Sequence, residues 1–144
     1  MTQSAYEKSN QVLEVAYNKF SKNEFAALLK ATEGVADRQR KAQKVLDYLC
    51  GKYGIPTAKV QVLDMPQRSM RSGTILGDYT YAFFRIRVYN KTAKQHKVVS
   101  IKGFADTLLH EFMHHYDVHY LKIDTLHTAG FYTRISDLKA KLEG

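Results

Sequence analysis

Phe104-Ala105-Asp106-Thr107-Leu108-Leu109-His110-Glu111-Phe112-Met113-His114-His115-Tyr116 is the stretch on which the reading of this chain turns. Ala105, Leu108, Leu109, Phe112 and Tyr116 recur at i, i+3, i+4, i+7 and i+11, which predicts an amphipathic helix with one buried stripe, reaching to about Leu121. His110-Glu111-x-x-His114 lies inside it. Positions four apart on a helix are separated by about 40° around the axis, so both imidazoles leave one face a turn apart, as a single zinc ion requires. Glu111, beside the first histidine, can act on a water at the metal without being a ligand, which is the general-base position of a zinc hydrolase. Two histidines and a glutamate beside an apolar stripe are poor core residues unless something compensates them.

A catalytic zinc usually takes three protein ligands and leaves a fourth position to water. A histidine six residues after His114 would supply the third, but that position is Tyr120, and Asp117 stands where that arrangement has glycine. The only glutamate downstream of Glu111 is Glu143, next to the last residue. His127 is better placed: Lys122 to Leu126 form a short connection, and His127 stands at the entrance of a second periodic segment ending near Leu142. The plainer reading of His127 is a surface loop residue. His115 lies about 100° around the helix from His114, and His119 about 180° from His110, so both are expected to be solvated or to contact substrate. Asp117 returns to the face of His110 and is a candidate orienter of a metal-bound imidazole, or else an ordinary surface aspartate.

His110-Glu111-x-x-His114, a spacer of a dozen residues and His127-x-x-Gly130-Phe131 resemble the SprT-like zinc metallopeptidases and related minimal zincins. Leu76-Gly77-x-Tyr79 followed by Arg85-Ile86-x-Val88-Tyr89-Asn90 is similar to the strand pair that precedes the active-site helix in that family. The resemblance spans roughly residues 60–142. It implies a histidine as third ligand, one zinc ion per chain and hydrolysis of peptide bonds. Thr128 stands where the family often has glycine, and no cysteine quartet for a zinc ribbon follows.

With 144 residues and 44% apolar composition, the chain fits one domain, 1–144, with a helical part at 1–56 and a sheet with zinc-binding helices at 57–144. Val12, Leu13, Ala16, Tyr17 and Phe20 predict a first helix, Phe25 to Leu29 a short second, and Ala42, Val45, Leu46 and Leu49 a third ended by Gly51, Gly54 and Pro56. Residues 60–62 read as a short strand, 66–73 as a loop, 74–79 and 81–90 as a strand pair, and 97–101 as a strand entering the motif helix. The expected fold is therefore α+β and minimal zincin-like: N-terminal helices, a small mostly antiparallel sheet, the motif helix and a closing helix.

No apolar run is long enough for a membrane span, and the N-terminal residues lack the apolar core of a signal peptide, so the expectation is a cytoplasmic protein without a membrane partner. A lone Cys50 agrees with a reducing compartment. Nothing in the sequence addresses oligomeric state. The formal charge of +8 concentrates in residues 60–102, which hold eight cations against Asp64 and Asp78. Arg68, Arg71, Arg85 and Arg87 are the candidates for binding nucleic acid, with Tyr79, Tyr81, Phe83 and Phe84 as stacking surfaces. Solvated strand edges that resist pairing are the favoured reading of the same charges.

The expectation is a zinc endopeptidase acting on peptide or protein, with Glu111 catalytic, His110, His114 and His127 on the metal, and substrate backbone added along residues 74–79. Tyr79, Tyr81 and Tyr132 are candidates for contacting substrate. The competing expectation is a basic nucleic-acid- or protein-binding module with a structural or silent zinc site.

Overall fold

The computed structural model describes residues 3–144. Three helices, α1 (Ala5–Gln11), α2 (Asn23–Leu29) and α3 (Val35–Tyr53), precede the strands. Strands β1 (Lys59–Pro66), β2 (Arg68–Met70), β3 (Gly73–Ile75), β4 (Gly77–Thr80) and β5 (Arg85–Lys91) follow, then α4 (Ile101–Tyr116) and α5 (Ala129–Glu143). The class is α+β. No helix among the described residues is long and apolar enough to cross a membrane.

One sheet has the order β1-β5-β4, and β2 and β3 form a separate hairpin. Two of the three pairings, β4 with β5 and β2 with β3, are antiparallel, whereas β1 runs parallel to β5. Period-two alternation puts Val60, Val62, Ile86 and Val88 on one face of the sheet, where they are buried in the main core. Against that face pack α3 and α4. The whole stripe expected of α4 is buried, and Phe104 and Met113 join it. Fully burying each such side chain contributes on the order of 1.5–3 kcal/mol, which fixes the rotation of α4 about its axis and so decides which of its residues face away.

Several boundaries differ from expectation. The loop expected at 66–73 contains β2 and turns at Arg71-Ser72 into β3, so the strand expected over 74–79 is split between β3 and β4. Tyr81–Phe83 form a 3-10 turn rather than the start of a strand, and Phe84 at φ 50° closes it. The strand expected at 97–101 is reduced to one bridge, Lys91 to Val98, because Ser100 caps α4 by accepting from Gly103 N–H. Helix α3 runs through Gly51 and ends at Tyr53, with Gly54 in the left-handed region at φ 65°.

The helix expected over Val12 to Phe20 does not form: α1 stops at Gln11 and an irregular strap follows. Its backbone groups are taken by side chains from distant helices. Val15 N–H donates to Asp137 (2.9 Å) and Ala16 N–H to the Tyr116 hydroxyl (3.0 Å), while the Tyr53 hydroxyl donates to Ala16 O (2.8 Å) and Arg134 to Val12 O (2.8 Å). A helix here would have to give up these bonds, which the fold supplies from outside the segment.

Candidate metal centre

His110 and His114 face the same side of α4, with ring centroids 5.2 Å apart. Past Tyr116 the helix widens into a single π-helical turn, Asp117–Leu121, and Lys122 at φ 57° reverses the chain. Residues 123–127 then run back over the exposed face of α4. Thr128 caps α5, its hydroxyl accepting from Phe131 N–H at 3.1 Å and bonding to Ser9 Oγ at 2.7 Å. That cap fixes where His127 points.

The three imidazoles converge through their Nε2 atoms, His127 to His114 at 3.0 Å and His127 to His110 at 3.3 Å. Nitrogens about 2.0–2.1 Å from a tetrahedral zinc are separated from one another by about 3.3–3.4 Å, so this donor set suits that ion. Burial holds His114 in its neutral form, with a pKa lowered to about 3, the neighbouring His110 and His127 adding to the effect. His110 is lowered for the same reasons, burial first and His127 second. Neutral imidazoles present lone pairs, and the three residues could together hold a metal ion. Sequence reasoning missed how they are supported: buried Phe131 packs against all three rings, with centroids 4.7, 5.1 and 5.3 Å from His114, His110 and His127.

Glu111 lines the cleft beside the histidines and is only 7% exposed, its Oε2 3.9 Å from His110 Nε2. Burial pushes its carboxyl up to about 8, and the negative charge of Asp78 adds to the rise. A cation at the three imidazoles would oppose that shift. The cleft, about 1150 Å³, has α4 as its floor, the segment Thr74 to Tyr79 as one wall and Ile123 to His127 as the other. Among the described residues β4 pairs only with β5, so its second edge is unpaired there.

The remaining candidates are scattered. Tyr79 and Tyr81 line the cleft, while exposed Tyr132 stands 5.8 Å from the His110 ring and 6.2 Å from that of His127. Asp117 is fully buried and touches no imidazole; its Oδ2 accepts from Arg134 (2.9 Å) and from the Thr125 hydroxyl (3.2 Å), and Thr125 Oγ1 lies 2.7 Å from His114 Nδ1. Thr125 carried no signal in the sequence. Arg68 and Arg71 belong to the β2–β3 hairpin, whereas Arg85 and Arg87 start β5 at the far end of the sheet. Arg87 is held by Asp78 at 2.7 Å, and the Arg85 guanidinium lies 5.6 Å over Phe83. None of these four arginines lines the cleft.

His115 is neither solvated nor in contact with the cleft. It is fully buried, Nε2 donating to Pro56 O at 2.6 Å, which leaves Nδ1 to accept from the Tyr79 hydroxyl at 2.7 Å. The carbonyl can only accept, so these roles are forced. Consequently the proton of the Tyr79 hydroxyl is directed away from the cleft. His119 stacks on Tyr81 at 5.7 Å and packs edge-on to Phe84 at 4.9 Å, outside the cleft lining.

Comparison with family models, curated proteins and solved structures finds no match to this chain.

Proposed function

We propose that this protein is a zinc-dependent metallopeptidase of the minimal zincin type, similar to the SprT-like enzymes, that hydrolyses peptide bonds in an extended substrate. One observation carries the reading: three imidazoles converge within hydrogen-bonding distance on one side of a buried glutamate, in a cleft bordered by a strand edge that is unpaired among the described residues. His110, His114 and His127 would hold the zinc. The bound ion would supply Lewis-acid activation of water and of the scissile carbonyl.

Glu111 then works as general base and acid. It takes the proton of the attacking water and returns it to the leaving amine. The free edge of β4 offers backbone donors and acceptors along which a peptide adds as a further strand, giving affinity with little side-chain selectivity. With its proton committed to His115, Tyr79 contributes its ring to the cleft wall rather than a hydrogen bond to the oxyanion. We place the protein in the cytoplasm on its single cysteine, Cys50, a buried free thiol.

The test is Glu111→Gln, which keeps the size of the side chain and all three histidines. Zinc content stays at wild-type level, while cleavage of an unfolded protein or peptide library falls by roughly 10²- to 10⁴-fold. Undiminished cleavage by the zinc-loaded variant would remove Glu111 from its role. No cleavage by either protein across a broad library would favour a binding module with a silent site.

A further inference from the structure

We infer that Thr125, backed by the buried Asp117–Arg134 pair, is a positioning residue that holds His114 in the tautomer whose Nε2 lone pair faces His110 and His127. Its consequence for metal binding rests on the reading above; the tautomer itself does not.

One chain of contacts fixes where each proton lies. Asp117 pairs with Arg134 at 2.9 Å, both side chains fully buried, and the carboxylate in such a pair is an acceptor only. Thr125 Oγ1 lies 3.2 Å from the same carboxylate oxygen and has one proton, which it donates there. What remains on the hydroxyl is lone pairs. His114 Nδ1, 2.7 Å away, must therefore be the N–H donor, so Nε2 is unprotonated. That Nε2 is the atom 3.0 Å from His127 Nε2.

The pair at the base of this chain is itself anchored. Arg134 donates to Ser9 O at 2.6 Å, to Val12 O at 2.8 Å and to Ser9 Oγ at 3.2 Å, so α1 and the start of the strap fix the guanidinium that fixes Asp117. Asp117 owes its position to the π-helical turn that begins with it. Gly130 allows the close approach of α1 and α5, because a Cβ there would lie against Ser9 O and 2.8 Å from Asn10 Cα. A buried ion pair is a poor source of net stability, since desolvation offsets its attraction. Its use here is directional: it leaves the Thr125 hydroxyl one arrangement.

A group that orients a metal-ligating imidazole through its second nitrogen typically contributes 10- to 100-fold in metal affinity. Thr125→Val removes the hydroxyl at nearly constant shape, and Thr125→Ser keeps it. Imidazole ¹⁵N spectra of the metal-free proteins should show the Nδ1–H tautomer for His114 in the wild type and in Thr125→Ser, and a mixture of tautomers in Thr125→Val. Zinc affinity, read by chelator competition, should fall about 10- to 100-fold in Thr125→Val and recover in Thr125→Ser. A wild-type His114 carrying its proton on Nε2 overturns the inference without any variant, which keeps it testable should Thr125→Val fail to fold. Unchanged tautomer and unchanged zinc affinity in a folded Thr125→Val overturn it as well. If the wild type binds no zinc, the metal reading fails alone, and the tautomer comparison still decides the role of Thr125.

Discussion

His114 and His115 are neighbours on α4 and both lie mostly inside the protein, yet the two flanks of the helix on which they sit treat them in opposite ways. On the packed flank His115 uses both ring nitrogens, one on Pro56 O and the other on the Tyr79 hydroxyl. On the cleft flank His114 uses only Nδ1 within the surrounding framework, on Thr125, and its Nε2 is turned toward two further histidines. Burial lowers the pKa of both rings. What separates a structural histidine from a candidate ligand is therefore where its lone pair goes, not residue type or the direction of its pKa shift.

The strongest challenge to this contrast is removal of His127, which completes the cleft side and has no counterpart on the packed side. His127→Ala should lose stoichiometric zinc by elemental analysis. It should also lose the stabilisation that zinc gives the wild type, about 2.7 kcal/mol at a free concentration one-hundredfold above the dissociation constant. Wild-type zinc binding by this variant would return His127 to the status of a loop residue.

His115→Ala should do the reverse. Leaving Pro56 O and the Tyr79 hydroxyl without partners costs on the order of 1–3 kcal/mol in denaturant unfolding of the metal-free protein, and the opened cavity adds to that. Zinc stoichiometry should stay at one per chain. A His115→Ala protein that is stable but zinc-free would erase the distinction between the two flanks.

Acid should act on both flanks together. The folded imidazoles of His114 and His115 have pKa values below the ordinary 6.5, so above that pH neither folded nor unfolded chain is charged at these positions and nothing is lost. As pH falls below about 6.5 the unfolded chain binds protons that the folded one refuses, and stability declines by up to about 1.4 kcal/mol per pH unit for each such ring. Unfolding of the metal-free protein between pH 7.5 and 5.5, a range set to span the value of about 6.5, should show this contribution, offset in part by Glu111, whose raised pKa makes the folded state bind a proton there that the unfolded chain does not. The slope should be shallower in His115→Ala.

Cys50 gives the smallest effect and a control on the core. Its thiol is buried and its pKa is raised to about 11 by that burial, so at neutral pH it should resist alkylation in the folded state and react on unfolding. Loss of zinc should not expose it. Rapid labelling of the metal-free protein would indicate that the core depends on the metal, contrary to a cleft carried by a preformed framework.

Much of the site was legible in the sequence because it is local. The apolar period of residues 105–116 states which face of α4 is buried, and the four-residue spacing of His110 and His114 then places both rings on the opposite side with Glu111 beside them. The expectation for His127 came from a short connection and a helix start, and the fold does bring it over α4. By contrast, the pattern at Val12 to Phe20 misled, since a helical period says only that an apolar face is available and not that the backbone will keep its own hydrogen bonds.

The sequence alone determined the α+β class, the motif helix with its buried stripe, and a candidate ligand set whose spacing suits one metal ion. Only the tertiary structure decided that His115 is spent on Pro56 O and Tyr79, that Asp117 reaches His114 through Thr125, and that Arg134 ties both to Ser9 and Val12. The physical reason is range. Periodicity and spacing are properties of one helix and are set by residues a turn or two apart, whereas the partner of a buried polar group is chosen among all groups the fold brings near it. Ser9 and Arg134 meet across 125 residues of chain, and no local pattern records that they will.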